Sequence, residues 1–318
     1  MPGTESARHF GFVGGALPRF LPFAAWASFA LNVIIIATGG AVRLTGSGLG
    51  CPGWPLCTPG SLVPTEELSY HALIEFGNRT ISGPLLLAAL AVVLLGWRVR
   101  SMRRDLFVLS WIVLGLVLLQ AFVGGVIVWE ELAAALVGFH YTVSLIIVCI
   151  TAAYLARMYE VPGPRERAVP KGYAILTHIT TLVMAVVIVL GVITTANGPH
   201  SGDENVVRDG IDATLLSHLH SWPGYVSFAL VVLLVVWAWA KQLRPLAWST
   251  MLLVLLFVQI GVGVYQARNG LPPLLVGVHM VLAALTAATL TVTVLRLKRP
   301  VLVAAAERAE AEAAAAQN

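Results

Sequence analysis

The chain has 318 residues, of which 58% are hydrophobic and only 11% are charged. Because a soluble domain of this length carries about twice that share of charged residues, a water-soluble globular protein is excluded. The formal net charge of +4 does not indicate a nucleic-acid partner, since the cations lie in short segments between apolar runs. We therefore expect an integral membrane protein.

Eight apolar runs along the chain are each long enough to cross a bilayer, which takes about 20 apolar residues in a helix. The second and sixth runs exceed that length, so their ends should project from the membrane. The composition thus predicts an all-α integral membrane protein with eight transmembrane helices. In chain order these spans are 20–41, 70–97, 106–129, 133–156, 173–195, 214–240, 245–266 and 272–295.

The segments between the spans differ in charge. Lys and Arg concentrate in the segments after the second, fourth and sixth spans and in the two tails, whereas the other segments hold Asp and Glu with few cations. By the positive-inside rule, both termini should lie in the cytoplasm, in a multi-pass protein of the cell (plasma) membrane. The outer loops are then 42–69, 130–132, 196–213 and 267–271.

Polar and small residues of the third and fourth spans recur in the seventh and eighth. Glycines alone would mean little, because membrane helices use them for close packing, but a Gln and a His keep the same register. The pattern predicts two repeated four-helix bundles, an N-terminal half (1–157) and a C-terminal half (173–298), joined by a cytoplasmic linker (158–172) and followed by a disordered tail (299–318). An offset of 139 residues relates Gln120, Gly124, Gly138 and His140 to Gln259, Gly263, Gly277 and His279.

Two of the three cysteines, Cys51 and Cys57, lie in the first outer loop. An outer compartment permits disulfides, and the Pro and Gly residues between the two cysteines allow so short a loop to close. Two interpretations stay open: a structural disulfide or a redox-active pair. Cys149, inside the fourth span, is interpreted as a small buried apolar residue.

Polar and ionisable side chains are concentrated at the outer end of the second span. His71, Glu75 and Asn78 fall on one stripe of a helix with 3.6 residues per turn, and Arg79 lies beside it. Ionisable groups inside a membrane are costly and by default mark function. The alternative is an interfacial polar cap in which Glu75 and Arg79 form an ion pair. Against it, Glu75 and Asn78 lie one to two turns inside the helix and face one direction.

Three histidines, His140, His220 and His279, lie at a common depth in the fourth, sixth and eighth spans, and Asn78 is the corresponding residue of the second span. A four-helix bundle that holds a porphyrin between two axial imidazoles needs this layout. The alternatives are hydrogen-bonded polar residues at helix interfaces, or zinc, which is disfavoured because no carboxylate or thiolate clusters with the histidines of the C-terminal half. His218 is an alternative to His220 as the ligand from the sixth span. The two side chains lie about 200° apart around a helix, so one haem cannot use both. The depth of His220 in the span, which matches that of His140 and His279, favours His220.

Two stretches of the chain resemble a known family. Residues 39–49 followed by 51–57 closely resemble the first outer loop of haem A synthases, and residues 75–79 resemble the second-helix motif of that family. The eight spans, the duplication and the three histidines also fit. The resemblance covers residues 20–295 and is most specific over 39–83.

The resemblance implies an activity, the oxidation of a methyl group on the ring of haem O to a formyl group, which yields haem A for cytochrome c oxidase. It also implies a haem b cofactor, whose iron is bound by His220 and His279 in the C-terminal half. Glu75 would be an essential acid or proton carrier. The implied substrate site, which binds haem O in the N-terminal half, comprises His140 as an iron ligand together with Asn78, Arg79 and Arg43.

Two positions depart from the family pattern. The family commonly has His where this chain has Asn78, and Arg where it has Ser221. The first departure argues against ligation of the substrate haem by two histidines, and the second suggests that another cation contacts the haem b propionates. The resemblance further implies that Cys51 and Cys57 form the loop disulfide of the family.

The expected partners are haem O as substrate, membrane lipid, a haem O synthase, cytochrome oxidase assembly factors, and an electron donor or acceptor of unknown identity. Two other functions compete. A membrane cytochrome b that only relays electrons explains the histidines but not Glu75 beside Asn78, nor the cysteine loop. A transporter with duplicated halves explains the repeat, but it predicts broken helices near the midplane, and no paired Gly/Pro interruption is evident there.

Overall fold

The structure is a computed structural model that describes residues 17–65, 69–200, 202–203, 206, 212–303, 305 and 309. Eight long helices dominate it, and all eight are long and apolar enough to cross a membrane, which confirms the predicted spans to within three residues at each end. The helices are α1 (Leu21–Leu44), α2 (Tyr70–Trp97), α3 (Arg104–Trp129), α4 (Ala134–Met158), α5 (Lys171–Ala196), α6 (Ala213–Ala240), α7 (Leu246–Arg268) and α8 (Pro273–Leu295).

The helices α2 and α6 are the longest, with 28 residues each, as expected from the long second and sixth apolar runs. Each contains an internal proline, Pro84 in α2 and Pro223 in α6. The expectation that the two halves lack a paired Gly/Pro interruption was therefore wrong. Both helices nevertheless continue through the proline, because neighbouring helices in a membrane protein satisfy the freed backbone groups. The broken helices that a transporter requires are not found at these positions.

The helices pack in two groups of four. In the first group each of α1 to α4 contacts its neighbours around a ring, whereas in the second group α5 and α8 make only marginal contact. The two groups meet where α8 packs against α1 and α4. A buried apolar cluster fills this seam, with Ile36 of α1, Val148 of α4 and Ala284 of α8 among its members.

The four predicted outer loops converge at one end of the bundle. The amide of Gly48 donates to the carbonyl of Gly202 at 2.8 Å, and the side chain of Leu132 packs close to both glycines. Nε2 of His200 lies 2.9 Å from the carbonyl oxygen of Leu271. All four loops therefore share one face of the membrane, and which compartment that face meets stays a prediction from the charge distribution.

The opposite end is organised around one carboxylate. Glu160, just beyond the end of α4, forms ion pairs with Arg165, Arg244 and Arg296, and its side chain is only 7% exposed. The three arginines come from the linker, from the segment between α6 and α7, and from the end of α8. Glu160 thus joins the linker to the second group of helices.

Two short strands, which the sequence did not predict, lie at the same end. Strand β1 (Arg165–Arg167) pairs antiparallel with β2 (Lys298–Pro300), and Glu166 and Arg299 lie opposite each other with a 3.2 Å ion pair. Residues 301–303 are helical. The predicted disordered tail therefore does not begin at residue 299, and most of the remainder, 304–318, lies outside the described residues.

Candidate functional site

The polar stripe of α2 faces α1 and the loop that follows α1. Each of its three predicted members makes a hydrogen bond there, so the stripe is a connected surface rather than a set of isolated polar groups. The pairs are His71 Nδ1 with Ser47 Oγ at 2.8 Å, Glu75 Oε2 with the amide of Cys51 at 2.7 Å, and Asn78 Oδ1 with the hydroxyl of Thr38 at 2.7 Å.

Glu75 is buried, with 4% of its surface exposed, and both of its oxygens have partners. Arg79 donates from Nε to Glu75 Oε1 at 3.1 Å and also from Nη2 to the same oxygen. The guanidinium further donates to the carbonyl of Gly53 at 2.8 Å. The Glu–Arg pair of the polar-cap interpretation is therefore present. The pair connects α2 to the cysteine loop. It also places a carboxylate, whose charge is paired with that of Arg79, one turn from Asn78.

Cys51 and Cys57 form a disulfide, as expected, and both are buried. Trp54, between them, packs its indole onto Gly125 of α3, where a Cβ atom would lie 2.6 Å from the ring. The same indole meets Trp129 edge to face at 5.7 Å between centroids. The loop is thereby seated on the outer end of the first helix group. The sequence analysis missed Trp54, and the Gly124–Gly125 pair was the signal that could have indicated a close approach at α3.

In the first helix group, His140 of α4 lies against α3. A Cβ atom on Gly124 would be 3.7 Å from Cε1 of His140, so the ring lies in van der Waals reach of this glycine. Nε2 of Gln120 donates to the His140 carbonyl oxygen at 2.7 Å. Nδ1 of His140 is buried and has no hydrogen-bond partner within the described part of the chain. A ring nitrogen is thus available to a group from outside the chain.

His279 of α8 has the same surroundings in the second group. A Cβ atom on Gly263 would be 3.0 Å from its Cε1, and Nε2 of Gln259 donates to its carbonyl oxygen at 3.1 Å. Its Nδ1 is likewise buried without a partner among the described residues. These contacts recur at the offset of 139 residues found in the sequence, which supports the predicted duplication.

The rings of His220 and His279 face each other, with centroids 6.2 Å apart and planes at 78°. Two metal–imidazole bonds of about 2 Å place ring centroids roughly 6 Å apart, so the pair fits an iron ion between its rings. Nδ1 of His220 lies 2.9 Å from the Val187 carbonyl oxygen, which leaves Nε2 for a metal. His218 is exposed, and its Nδ1 lies 2.7 Å from the carbonyl oxygen of Thr214. The geometry therefore favours His220 over His218 as a metal ligand, as its depth in the helix did.

Asn78 occupies the place in the first group that His220 occupies in the second. Each lies against a glycine on the first helix of its group: a Cβ atom on Gly39 would be 3.7 Å from Asn78 Oδ1, and one on Gly191 would be 2.8 Å from His220 Cε1. A Cβ atom would not fit at Gly191, whereas at Gly39 it would make an ordinary contact with Asn78. The sequence analysis missed both glycines, because glycines in membrane helices have many uses.

Arg43 and Ser221 each make a described hydrogen bond to a backbone carbonyl oxygen. Arg43 Nη2 donates to the carbonyl oxygen of Thr195 at the end of α5, so this bond connects the two helix groups at their outer end. Ser221 is partly buried, and its hydroxyl donates to the His218 carbonyl oxygen at 3.3 Å. Neither described bond leads to Asn78, His140 or His279.

Residues 23–200 match the family model COX15-CtaA, described as cytochrome oxidase assembly protein. The match comprises 178 of the 318 residues. The chain belongs to this family. The family model covers the first helix group, the linker and α5, and it ends before His220 and His279.

Relatives within this family extend the match. A heme A synthase of Staphylococcus saprophyticus is 32% identical over 173 residues, which is 52% of this chain and 57% of the relative. One of Bacillus cereus is 34% identical over 120 residues, 37% of this chain and 38% of the relative. One of Halalkalibacterium halodurans is 25% identical over 283 residues, 84% of this chain and 93% of the relative. The chain thus spans about half the length of the first relatives it matches, and nearly all of the last at lower identity.

Proposed function

We propose that the protein is a haem A synthase, which oxidises a ring methyl group of haem O to a formyl group and so supplies haem A to cytochrome c oxidase. Membership of the cytochrome oxidase assembly family and the names of the relatives support this function. The observation that carries it has two parts. His140 and His279 lie against equivalent Gln and Gly residues. The residues opposite them differ, Asn78 in the first group and His220 in the second. Two haem sites with different chemistry are what a haem-modifying enzyme with a haem cofactor needs.

In the second helix group, His220 and His279 would hold haem b by its iron. The contact of His220 with the Val187 carbonyl fixes the tautomer and the direction of its ring. When bound, haem b supplies one-electron transfer to the other half of the protein. His220 and His279 would both bind the iron of that group and so position it.

In the first helix group, His140 would bind the iron of haem O, the substrate. An amide is a poor iron ligand compared with an imidazole, so Asn78 leaves the opposite side of the iron open. An open side suits oxidation at a haem, whereas two strong imidazoles suit electron transfer. Arg79 and Arg43, cations at the outer end of this group, belong to the proposed substrate site.

Glu75 is the proposed acid or proton carrier. Converting a methyl group into a formyl group is a four-electron oxidation that takes one oxygen atom from water or dioxygen. It removes two hydrogens from carbon, which leave as protons, while the electrons pass to the proposed electron acceptor or to dioxygen. Glu75 is a buried carboxylate one turn from Asn78, and its bonds to Arg79 and to the Cys51 amide stabilise its charged form. From this position it can accept a proton from the substrate side and release it at the outer face.

We further propose that the protein spans the plasma membrane with both termini in the cytoplasm, on the strength of its charge distribution. A haem O synthase and oxidase assembly factors are its proposed partners, with an electron donor or acceptor of unknown identity. On this arrangement the cysteine loop and Glu75 lie at the outer face.

Co-expression with a haem O source, followed by chromatography of the extracted haems, tests the function. A haem A synthase yields haem b together with haem O or haem A. Haem b alone would favour the electron-relay cytochrome, for which the facing His220 and His279 are the specific support. A pigment-free protein would favour the transporter. Either of the last two results contradicts the proposal.

A further inference from the structure

The amide of Asn78 is oriented by the hydroxyl of a threonine, whereas the described bond of His220 is to a backbone carbonyl oxygen. The hydroxyl of Thr38 donates to Asn78 Oδ1 at 2.7 Å. An asparagine amide has one acceptor atom, the oxygen, and its nitrogen is only a donor of two hydrogens. The bond from Thr38 therefore engages the atom through which Asn78 could bind a metal, and it leaves the Nδ2 donor for another partner.

The comparison with His220 indicates where this donor points. Asn78 and His220 lie against glycines of corresponding helices, Gly39 and Gly191, and the ring of His220 extends from there toward His279. His140 has the same Gly and Gln contacts as His279. A side chain at position 78 thus extends toward the side of a bound haem opposite His140. Among the described residues, no hydrogen bond engages Nδ2 of Asn78.

We propose that Asn78 is a hydrogen-bond donor to a small oxygen-bearing or diatomic ligand on the open side of the substrate iron, with Thr38 as its positioning residue. This inference rests on the proposed function. A histidine at position 78 would close the iron, whereas a short amide held back by Thr38 leaves space for a ligand and donates a hydrogen bond to it. The stripe of α2 would then contribute a donor at Asn78 and a carboxylate at Glu75 to the same side of the ring.

Carbon monoxide is the probe that separates the two haems, because it binds an iron with an open side and not one held by two imidazoles. The sample is the full-length protein carrying haem O, reduced and treated with carbon monoxide, and the readout is the C–O stretching band in the infrared. Asn78→Leu keeps the approximate size of the side chain and removes the donor. Thr38→Val removes the hydroxyl that orients the amide. Thr80→Val, on the exposed side of α2, is the matched control.

We expect Asn78→Leu to move the C–O band to higher frequency, because a hydrogen bond to the bound ligand weakens the C–O bond. Thr38→Val should give two bands, since the amide is then free to rotate, and Thr80→Val should keep the wild-type band. The affinity of the oxidised substrate haem for cyanide should fall roughly fivefold in Asn78→Leu, because the bound cyanide loses one neutral hydrogen bond from the amide.

The outcomes separate this inference from the function it rests on. A substrate haem that binds carbon monoxide with the same band in wild type and Asn78→Leu overturns the role of Asn78 alone. A substrate haem that refuses carbon monoxide because a side chain closes it also overturns that role while leaving the synthase proposal in place. A protein with haem b and no second haem overturns the proposed function and this inference together.

Discussion

The two helix groups place their histidines with the same scaffold and differ in what stands opposite. In both, a Gln donates to the carbonyl of the histidine and a glycine lies against its ring, more tightly in the second group. In the second group another imidazole faces that ring, whereas in the first the corresponding position holds Asn78, bonded to Thr38. We infer that one side chain and its neighbour would be enough to change the proposed closed haem site into the proposed open one.

The groups also differ in how tightly they pack. In the most apolar stretches of α1 to α4, 28–33% of the residues are buried, against 11% in α5, 22% in α6 and 17% in α7. The helix α8, which packs against α1 and α4, is the exception in the second group, with 50% buried. The first group is additionally closed at its outer end by the disulfide loop and the Glu75–Arg79 pair. The predictions below test whether the second group is the cofactor site and the first the reactive one.

The largest effect is expected at the facing imidazoles. His220→Ala or His279→Ala should abolish the low-spin haem b spectrum, because each removes one of the two axial ligands. His218→Ala is the matched control and should largely keep that spectrum, since His218 is exposed and bonded to its own helix. Absorption spectra of the purified variants are the measurement. The reverse ranking of His218 and His220 would show that the wrong ligand has been chosen.

The next effect concerns the carboxylate. Glu75→Gln keeps the shape and an acceptor for the Cys51 amide but removes the ionisable group, so haem A production should fall by about 100-fold or more. Haem b content should stay normal, which shows that the protein is inserted and folded. Glu130→Gln, at an exposed carboxylate beyond α3, is the control. Near-normal haem A from Glu75→Gln would rule out an acid–base role and favour the polar-cap interpretation.

A change of spin state is expected at position 78. Asn78→His should give the substrate haem a second imidazole and convert a high-spin spectrum into a low-spin one, which makes the first site resemble the second. The control is His71→Ala, because His71 is the first candidate for a sixth ligand in the wild type. A wild-type substrate haem that is already fully low-spin, and becomes high-spin in His71→Ala, would contradict an open side at Asn78.

The smallest effect concerns the loop disulfide. Replacing Cys51 and Cys57 together by Ser should lower the free energy of unfolding by about 2 kcal/mol, with unchanged haem A production per folded molecule if the bridge is only structural. Thermal unfolding in detergent gives the first quantity and haem chromatography the second. In the wild type, thiol labelling from outside should require a reductant. Loss of activity at full stability would indicate a redox role for the pair.

The spans could be predicted because the energetics of burying apolar side chains in lipid are local to each run. The α2 stripe was predictable for the same reason, since 3.6-residue periodicity alone places His71, Glu75 and Asn78 on one face. What they contact was not predictable. Thr38 lies in an apolar run with no local pattern that marks it, and its bond to Asn78 joins residues 40 positions apart.

Other features depend on distant pairs in the same way. Trp54 fits Gly125 only because the loop folds back over α3, and β1 meets β2 across more than 130 residues. The motif placed Arg43 at the outer end of α1 but did not predict its bond to the carbonyl oxygen of Thr195, far along the chain. A motif specifies which residue types occur together, and the direction of a long side chain follows from the packing of helices that the motif does not contain.

The cluster around Glu160 has a consequence for biosynthesis. A buried carboxylate requires compensating partners, and the ribosome delivers those of Glu160 at different times: Arg165 almost at once, Arg244 after α6, and Arg296 only after α8. The last ion pair therefore forms only when the final helix has entered the membrane. A chain that ends before α8 would lack the ion pair that holds Glu160 to the end of that helix.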